Sequence, residues 1–112
     1  MDKETLQFVN RVKKRSKEIA ETEIGIGGRR EQEMIKMWRQ RRPKMVKELE
    51  TLGILAEFAH ILQYNRMEAD QQNITAGMSP GDASMTAEAD WTMQEPETED
   101  ETRPQDMVDL SA

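Results

Sequence analysis

The only histidine of the chain, His60, lies between Ala59 and Ile61 in the densest apolar stretch of the sequence. A zinc site needs several His, Cys or carboxylate ligands, and the neighbouring Glu57 and Tyr64 do not complete such a set. Glu57 and His60 have the i, i+3 spacing of a di-iron carboxylate helix, but that site needs a second such pair and two further glutamates. We therefore predict an ordinary, partly buried histidine, and neither a metal nor another cofactor.

No other side chains form a recognisable catalytic set. A serine hydrolase needs a base and oxyanion donors placed around its nucleophile, and the serines of this chain have plainer structural roles. The absence of cysteine removes thiol nucleophiles, disulfides and thiolate metal sites. The glycine-rich residues 24–28 have no preceding strand and no following G-K-[ST], which a phosphate-binding loop requires. We therefore predict a protein that is not an enzyme.

The strongest functional candidate is the basic stretch at residues 38–44, WRQRRPK. Arginine neutralises phosphates, and an adjacent tryptophan can stack on bases. Together with residues 13–17, this stretch would form a face that binds nucleic acid through Lys13, Lys14, Arg15, Lys17, Trp38, Arg39, Arg41, Arg42 and Lys44. Glutamates flank the stretch and can pair with it along the helices. A solvated face, and contact with an acidic protein or with the chain's own acidic end, therefore remain open alternatives.

Charge is distributed unevenly along the chain. Residues 1–50 contain 14 Lys/Arg and 9 Asp/Glu, whereas residues 51–112 contain 2 and 13. Such an asymmetry is typical of a basic patch for an anionic partner or of an acidic tail. From residue 94 the chain has no apolar side chain before Met107, so it cannot bury enough surface to offset its ordering entropy. We predict a helical domain over residues 1–93 and a disordered acidic tail over residues 94–112.

Apolar spacing predicts an all-α fold, a small bundle of four to five short helices. The first helix should bury one face, which carries Leu6, Val9, Val12, Ser16 and Ile19 and is widened by Phe8 and Ala20. The predicted helices span residues 2–23, 30–41, 43–52, 54–73 and 79–91.

Two residues decide where the central helices end. Pro43 disfavours helix in the preceding residue and suits the first turn of a new helix, which predicts a break or a sharp kink at Arg42. Gly53 is in the position expected after a helix end. We prefer a break at Gly53, although the apolar register also fits one continuous helix.

The last two helices differ in their apolar content. The first half of the fourth helix should bury Leu55, Phe58, Ala59, Ile61 and Leu62, whereas its polar second half should project or pack only through Met67 and Ala69. In the fifth helix, Ala83, Ala87 and Trp91 recur at steps of four. The small residues would let this helix lie close to another one, with Trp91 as the anchor.

The apolar core is expected to be small. Leu, Ile, Val and Phe make up 19 of the 112 residues, and a domain of this size is marginal alone. We therefore expect a homo-oligomer or a protein partner, contacted through Trp38, Phe58 and Trp91. No apolar run approaches the roughly 18 residues that a membrane span needs, and the first residues lack a signal-peptide core. We expect a soluble, cytoplasmic protein that does not bind membranes.

Residues 38–91 follow the order W-x(4)-P-x-M-x-x-E-L-x-x-x-G-x-L, then G-M-S-P-x-x-A and a final tryptophan. The residues of this order are Trp38, Pro43, Met45, Glu48, Leu49, Gly53, Leu55, Gly77, Met78, Ser79, Pro80, Ala83 and Trp91. In these residues the chain resembles small helical proteins encoded by bacterial phages and mobile elements. The resemblance implies an accessory gene product of uncharacterised activity and brings no functional residues with it.

These observations favour a non-enzymatic helical interaction module, an accessory protein that binds a protein partner or itself. The alternative is a nucleic-acid-binding protein that uses its basic N-terminal half. In that alternative, the acidic tail competes for the same face.

Overall fold

The structure, a computed structural model, describes residues 2–98. Within this range it contains five helices and no strand, which confirms the predicted all-α fold. The helices are α1 (Lys3–Thr22), α2 (Arg29–Arg41), α3 (Pro43–Leu52), α4 (Leu55–Thr75) and α5 (Pro80–Trp91). Of the predicted disordered tail, residues 99–112 lie outside the described residues.

Local signals set the helix ends. Asp2 caps α1, because its Oδ1 atom accepts a hydrogen bond from the Thr5 amide at 2.7 Å. Ser79 caps α5 in the same way, at 3.3 Å from the Asp82 amide. Gly53 ends α3 in the left-handed region at φ 74°, which confirms the predicted break between α3 and α4. The helix termini therefore follow from the residues at the ends themselves.

The break between α2 and α3 falls at Arg42, whose φ of −134° and ψ of 55° are not helical. Pro43 occupies the first position of α3. Its ring restricts the preceding residue to non-helical backbone, so the predicted interruption is a full break. This break turns the chain between two helices that both pack on α4.

The core forms where α1, α2 and α3 pack against α4. Trp38 and Phe58 are fully buried, with ring centroids 5.9 Å apart, and Phe8 packs on Phe58 at 6.2 Å. One prediction for α1 is wrong: Leu6 is 49% exposed, and Thr5 takes its place on the buried face. The buried stripe of α1 is rotated slightly from the predicted one, and Ala20 also falls outside it.

The polar half of α4 is not a projecting helix, as one alternative predicted, because α5 packs along it. Ala83 and Ala87 are fully buried, as their spacing predicted, and small side chains let the helix backbones approach closely. Gln63 and Arg66 are buried, whereas Met67, the predicted contact, is 37% exposed. The close approach of α5 therefore covers polar side chains rather than the apolar residue beside them.

Candidate functional site

The break between α2 and α3 is crossed by the chain that follows α5. We call residues 92–97 the C-terminal segment, and we call Trp38, Arg41, Arg42, Lys44 and Met45 together the α2–α3 junction. Trp38 Nε1 donates to the Thr92 carbonyl oxygen at 2.7 Å. The guanidinium of Arg41 donates to the Gln94 carbonyl oxygen at 2.8 Å, and that of Arg42 to the Glu95 carbonyl oxygen at 2.6 Å. Three side chains of the junction therefore hold one segment by the carbonyl oxygens of its backbone.

The segment ends with Glu97 at the N-terminus of α3. Its carboxylate oxygens accept hydrogen bonds from the amides of Lys44 and Met45, both at 2.9 Å. Its own amide donates to the Arg41 carbonyl oxygen at 3.0 Å. Glu97 thereby contacts both helices that meet at the break.

The local sequence of α3 explains why Glu97 is accepted there. The helix has no side-chain cap from Arg42 and no acidic residue in its first turn. Pro43 has no N–H, so the amides of Lys44 and Met45 are the first donors at this end. A carboxylate satisfies both donors and interacts favourably with the positive end of the helix dipole. Glu97 supplies the anion that the neighbouring sequence lacks.

The predicted arginine cluster is divided between several partners. Arg42 is buried, 3% exposed, under the C-terminal segment. Arg41 is exposed apart from its bond to Gln94, and Arg39 pairs with Glu50 at 2.9 Å on the surface. The cluster therefore already contacts acidic and carbonyl groups of the chain itself.

Two residues predicted as contacts for a partner lie in the core instead. Trp38 and Phe58 are both 0% exposed, and the indole N–H of Trp38 is already bonded to Thr92. Neither ring can stack on a base or contact a protein surface in this conformation. Trp91 is partly buried against the core and keeps some exposed surface.

The basic stretch of α1 lies on a helix that packs mainly on α4. Lys13, Lys14 and Lys17 are exposed. Arg15 lies over the ring of Tyr64, with 5.5 Å from its guanidinium carbon to the ring centroid. Among the described residues, no hydrogen bond or ion pair joins this stretch to the arginine cluster. The single basic face predicted from the two stretches therefore stays a prediction.

Tyr64 itself has a perturbed acidity. Its hydrogen bond with the Glu68 side chain, together with burial, raises the pKa of the phenol above its ordinary value. The charge of Arg15 acts in the opposite direction. The neutral phenol is therefore favoured in the folded protein.

His60 is fully buried between α1 and α4, deeper than the sequence predicted. Its Nε2 atom lies 2.7 Å from the Ile24 carbonyl oxygen, which can only accept, so Nε2 donates this bond. Its Nδ1 atom lies 2.6 Å from the Ser16 Oγ atom. The Ser16–His60 pair has the contact of a nucleophile and its base, but the core covers both side chains. It ties α1, the loop after it and α4 together.

Within residues 2–98, no three His, Asp or Glu side chains are grouped so that they could hold a metal ion. In the same range, no helix combines the length and the apolar character that crossing a membrane requires.

Sequence reasoning missed the C-terminal segment as part of the site. Composition placed Glu97 in a disordered tail, because the residues around it are acidic and lack apolar side chains. One signal was available: α3 begins with proline and lacks a local acidic cap, so its first amides needed a partner from elsewhere.

The comparisons with family models, with characterised proteins and with solved structures found no match for this chain.

Proposed function

We propose that this protein is a non-enzymatic helical interaction module that binds an acidic segment of a protein partner at the α2–α3 junction. The main support for the proposal is the position of Glu97, whose carboxylate accepts hydrogen bonds from the first two amides of α3. The contacts of the chain's own segment support a ligand of this kind.

The C-terminal segment makes two kinds of contact: backbone contacts that would give affinity for any peptide, and a carboxylate contact that would select an acidic one. Trp38, Arg41 and Arg42 bond to its carbonyl oxygens, which every peptide presents. The N-terminus of α3 requires an anion, because amide donors and the helix dipole favour negative charge there. A partner segment therefore needs a backbone that can follow the path of residues 92–97 and one carboxylate in the position of Glu97.

The chain's own segment competes with such a partner. Because it is tethered, its effective concentration at the junction is high, of the order of millimolar for a short linker. A second copy can also supply its residues 92–97 to the junction, which would give self-association by exchange of the segment. The resemblance to proteins of phages and mobile elements is compatible with an accessory protein of this kind.

A matched pair of substitutions tests the proposal in the full-length chain. Glu97→Gln removes the carboxylate from the α3 terminus, whereas Glu95→Gln removes the same charge from an exposed side chain whose residue contacts Arg42 only through its carbonyl. A fluorescent peptide with the sequence of residues 91–98 serves as the ligand. We expect Glu97→Gln to bind this peptide about fivefold more tightly than the parent chain. The substitution weakens the binding of the chain's own segment by about 1 kcal/mol, so that segment competes less with the peptide.

Three further measurements complete the test. Glu95→Gln should bind the peptide like the parent chain. A peptide with Gln in the position of Glu97 should bind more weakly than the acidic one. Equal binding of both peptides, or no binding by Glu97→Gln, would remove the support for an acidic-segment site. Light scattering of Glu97→Gln at increasing concentration measures segment exchange between copies.

Nucleic-acid binding is the second candidate function. It is favoured by Arg41 and Lys44, two exposed cations whose backbone groups bond to Glu97. A carboxylate on a helix terminus occupies a place where a phosphate also fits. A short DNA duplex, titrated at several salt concentrations, tests it. Binding that strengthens in Glu97→Gln but not in Glu95→Gln, and weakens steeply with salt, would favour this function. Equal strengthening in both variants would indicate only a change in net charge.

A further inference from the structure

A second site, lined by charged, polar and methionine side chains, lies between α2, α4 and α5. It is an open cleft of about 170 Å³, and Thr92 and Gln94 of the C-terminal segment form one edge. Its other lining residues include Arg30 and Glu33 of α2, Gln63 and Arg66 of α4, and Glu88 of α5. None of these other residues belongs to the α2–α3 junction.

Arg66 is the unusual residue of this cleft. Its side chain is more than nine-tenths buried, with 8% of the residue exposed. Its Nε atom donates to Gln63 Oε1 at 3.1 Å, and within residues 2–98 its guanidinium makes no other hydrogen bond and no ion pair. The terminal nitrogens of Arg66 are not among the fully buried side-chain atoms that lack a hydrogen bond, so they reach the solvent of the cleft. The two terminal nitrogens of the fork are therefore available to a group in the cleft.

The acidic residues of the cleft are directed to other arginines. Glu33 pairs with Arg29 at 3.0 Å, and Glu88 lies 3.9 Å from Arg30. The carboxylate side chains of both pairs are substantially exposed, at 62% and 41%, so solvent screens their repulsion of an incoming anion. Neither carboxylate neutralises Arg66.

We propose that this cleft binds a compact oxyanion, the carboxylate or phosphate group of a small molecule or of a partner side chain, through the guanidinium of Arg66. The planar guanidinium fork matches both groups with two parallel hydrogen bonds. Arg30 stands at the mouth of the cleft, and its long, weak pair with Glu88 leaves it able to turn toward the anion. The volume is below the roughly 300 Å³ at which drug-sized pockets begin, so the cleft fits one anionic group rather than a whole large ligand.

The test uses the full-length protein with inorganic phosphate and with acetate as separate probes, against sodium chloride at the same ionic strength. We expect at least one probe to cause saturable shifts of the Arg66 Nε–H and Gln63 amide resonances in nitrogen–proton correlation spectra. Arg66→Lys keeps the charge but loses the fork, so it should bind that probe about tenfold more weakly. Arg30→Gln, on the surface, should also weaken binding, and Arg11→Gln, which changes an exposed arginine of α1 outside the cleft, should not.

The outcomes separate the possible ligands. Saturation by phosphate alone assigns a phosphate-bearing ligand, and saturation by acetate alone assigns a carboxylate-bearing ligand. If neither probe shifts these resonances more than chloride does, or if Arg66→Lys and Arg30→Gln both bind like the parent chain, the proposal is wrong. Peptide binding at the α2–α3 junction is measured separately, with Glu97→Gln. A negative result for the cleft would therefore not contradict the proposal for the junction.

Discussion

Glu97 caps α3 although it lies 52 residues after Met45 in the sequence, and its Oε2 atom is 2.9 Å from the Met45 amide nitrogen. A cap is usually supplied by the residue directly before the helix. Here that residue is Arg42, whose side chain bonds to the C-terminal segment and does not cap α3. The helix terminus therefore joins two parts of the chain that are distant in sequence.

The first prediction concerns this cap. Glu97→Gln should lower the free energy of unfolding by about 0.5–1.5 kcal/mol, because it removes a charge from the positive end of α3 and weakens two hydrogen bonds. Chemical denaturation followed by circular dichroism measures the change. The loss should shrink at high salt, which screens the interaction of a charge with the dipole.

Glu95→Gln is the matched control, since the Glu95 side chain is exposed and only its carbonyl contacts Arg42. Its effect should stay within about 0.5 kcal/mol. If the two variants lose equal stability, net charge rather than the cap is responsible.

The second prediction concerns the buried contact between Ser16 and His60. Ser16→Ala should lower the free energy of unfolding by about 1–3 kcal/mol, because it leaves the Nδ1 atom of a fully buried imidazole without its partner. His60→Ala should cost more, since it also opens a cavity and leaves the Ile24 carbonyl oxygen unsatisfied.

A double-mutant cycle isolates the Ser16–His60 pair from these other losses. The double variant should be more stable than the sum of the two single effects predicts, because residues in contact are not additive. Ser84→Ala, on the partly buried side of α5, is the control and should change stability by no more than about 0.5 kcal/mol. Strict additivity of the two single effects would contradict the pairing.

The helices could be predicted from the sequence because their signals are local. Pro43 and Gly53 stop or start a helix through the backbone angles of their own neighbourhood, and all five helices were predicted close to their observed bounds. The alanine spacing in α5 likewise predicted the buried pair Ala83 and Ala87. A residue's conformational restrictions do not depend on distant parts of the chain.

The contacts that form the two sites could not be predicted in this way. The position of Glu97 depends on where α5 directs the chain after Trp91, and α5 in turn packs along the polar half of α4. The burial of Arg66 follows from the same packing, although an arginine in a polar stretch is normally a surface residue. Both sites form where segments distant in sequence pack together, and the periodicity of apolar residues does not indicate that packing.

The third prediction concerns two glycines with opposite backbone requirements. Gly53 has φ 74°, and the amide of Ile54, which follows it, bonds to the Leu49 carbonyl oxygen across the end of α3. Gly53→Ala should destabilise the fold by about 1–2 kcal/mol, because a side chain strains this left-handed conformation. Gly81, by contrast, lies in the first turn of α5 with open space around it.

Gly81→Ala should therefore stabilise the protein by about 0.4–1 kcal/mol, through the smaller entropy of its unfolded chain. Thermal unfolding of both variants under one set of conditions measures the two effects, which should have opposite signs. A stabilising Gly53→Ala would mean that α3 and α4 can join into one continuous helix.

The fourth prediction concerns the titration of Tyr64, the only tyrosine of the chain. The hydrogen bond with Glu68 is the largest cause of its raised pKa, so Glu68→Gln should lower that pKa toward the ordinary value of about 10. Arg15→Gln should raise the pKa further, because it removes the cation that favours the phenolate. The ultraviolet absorbance of the phenolate measures both shifts without interference from another tyrosine.

The same titration has a consequence for stability. A pKa that is higher in the folded state means that the folded protein prefers the neutral phenol more than the unfolded chain does. The stabilising contribution is therefore complete below the unfolded pKa of about 10 and is lost as the pH rises through the folded pKa. Glu68→Gln should reduce this loss at alkaline pH, whereas Glu48→Gln, on α3, should leave it unchanged. Shifts of Tyr64 in the same direction for Glu68→Gln and Arg15→Gln would show that the two side chains do not act on the phenol as their charges require.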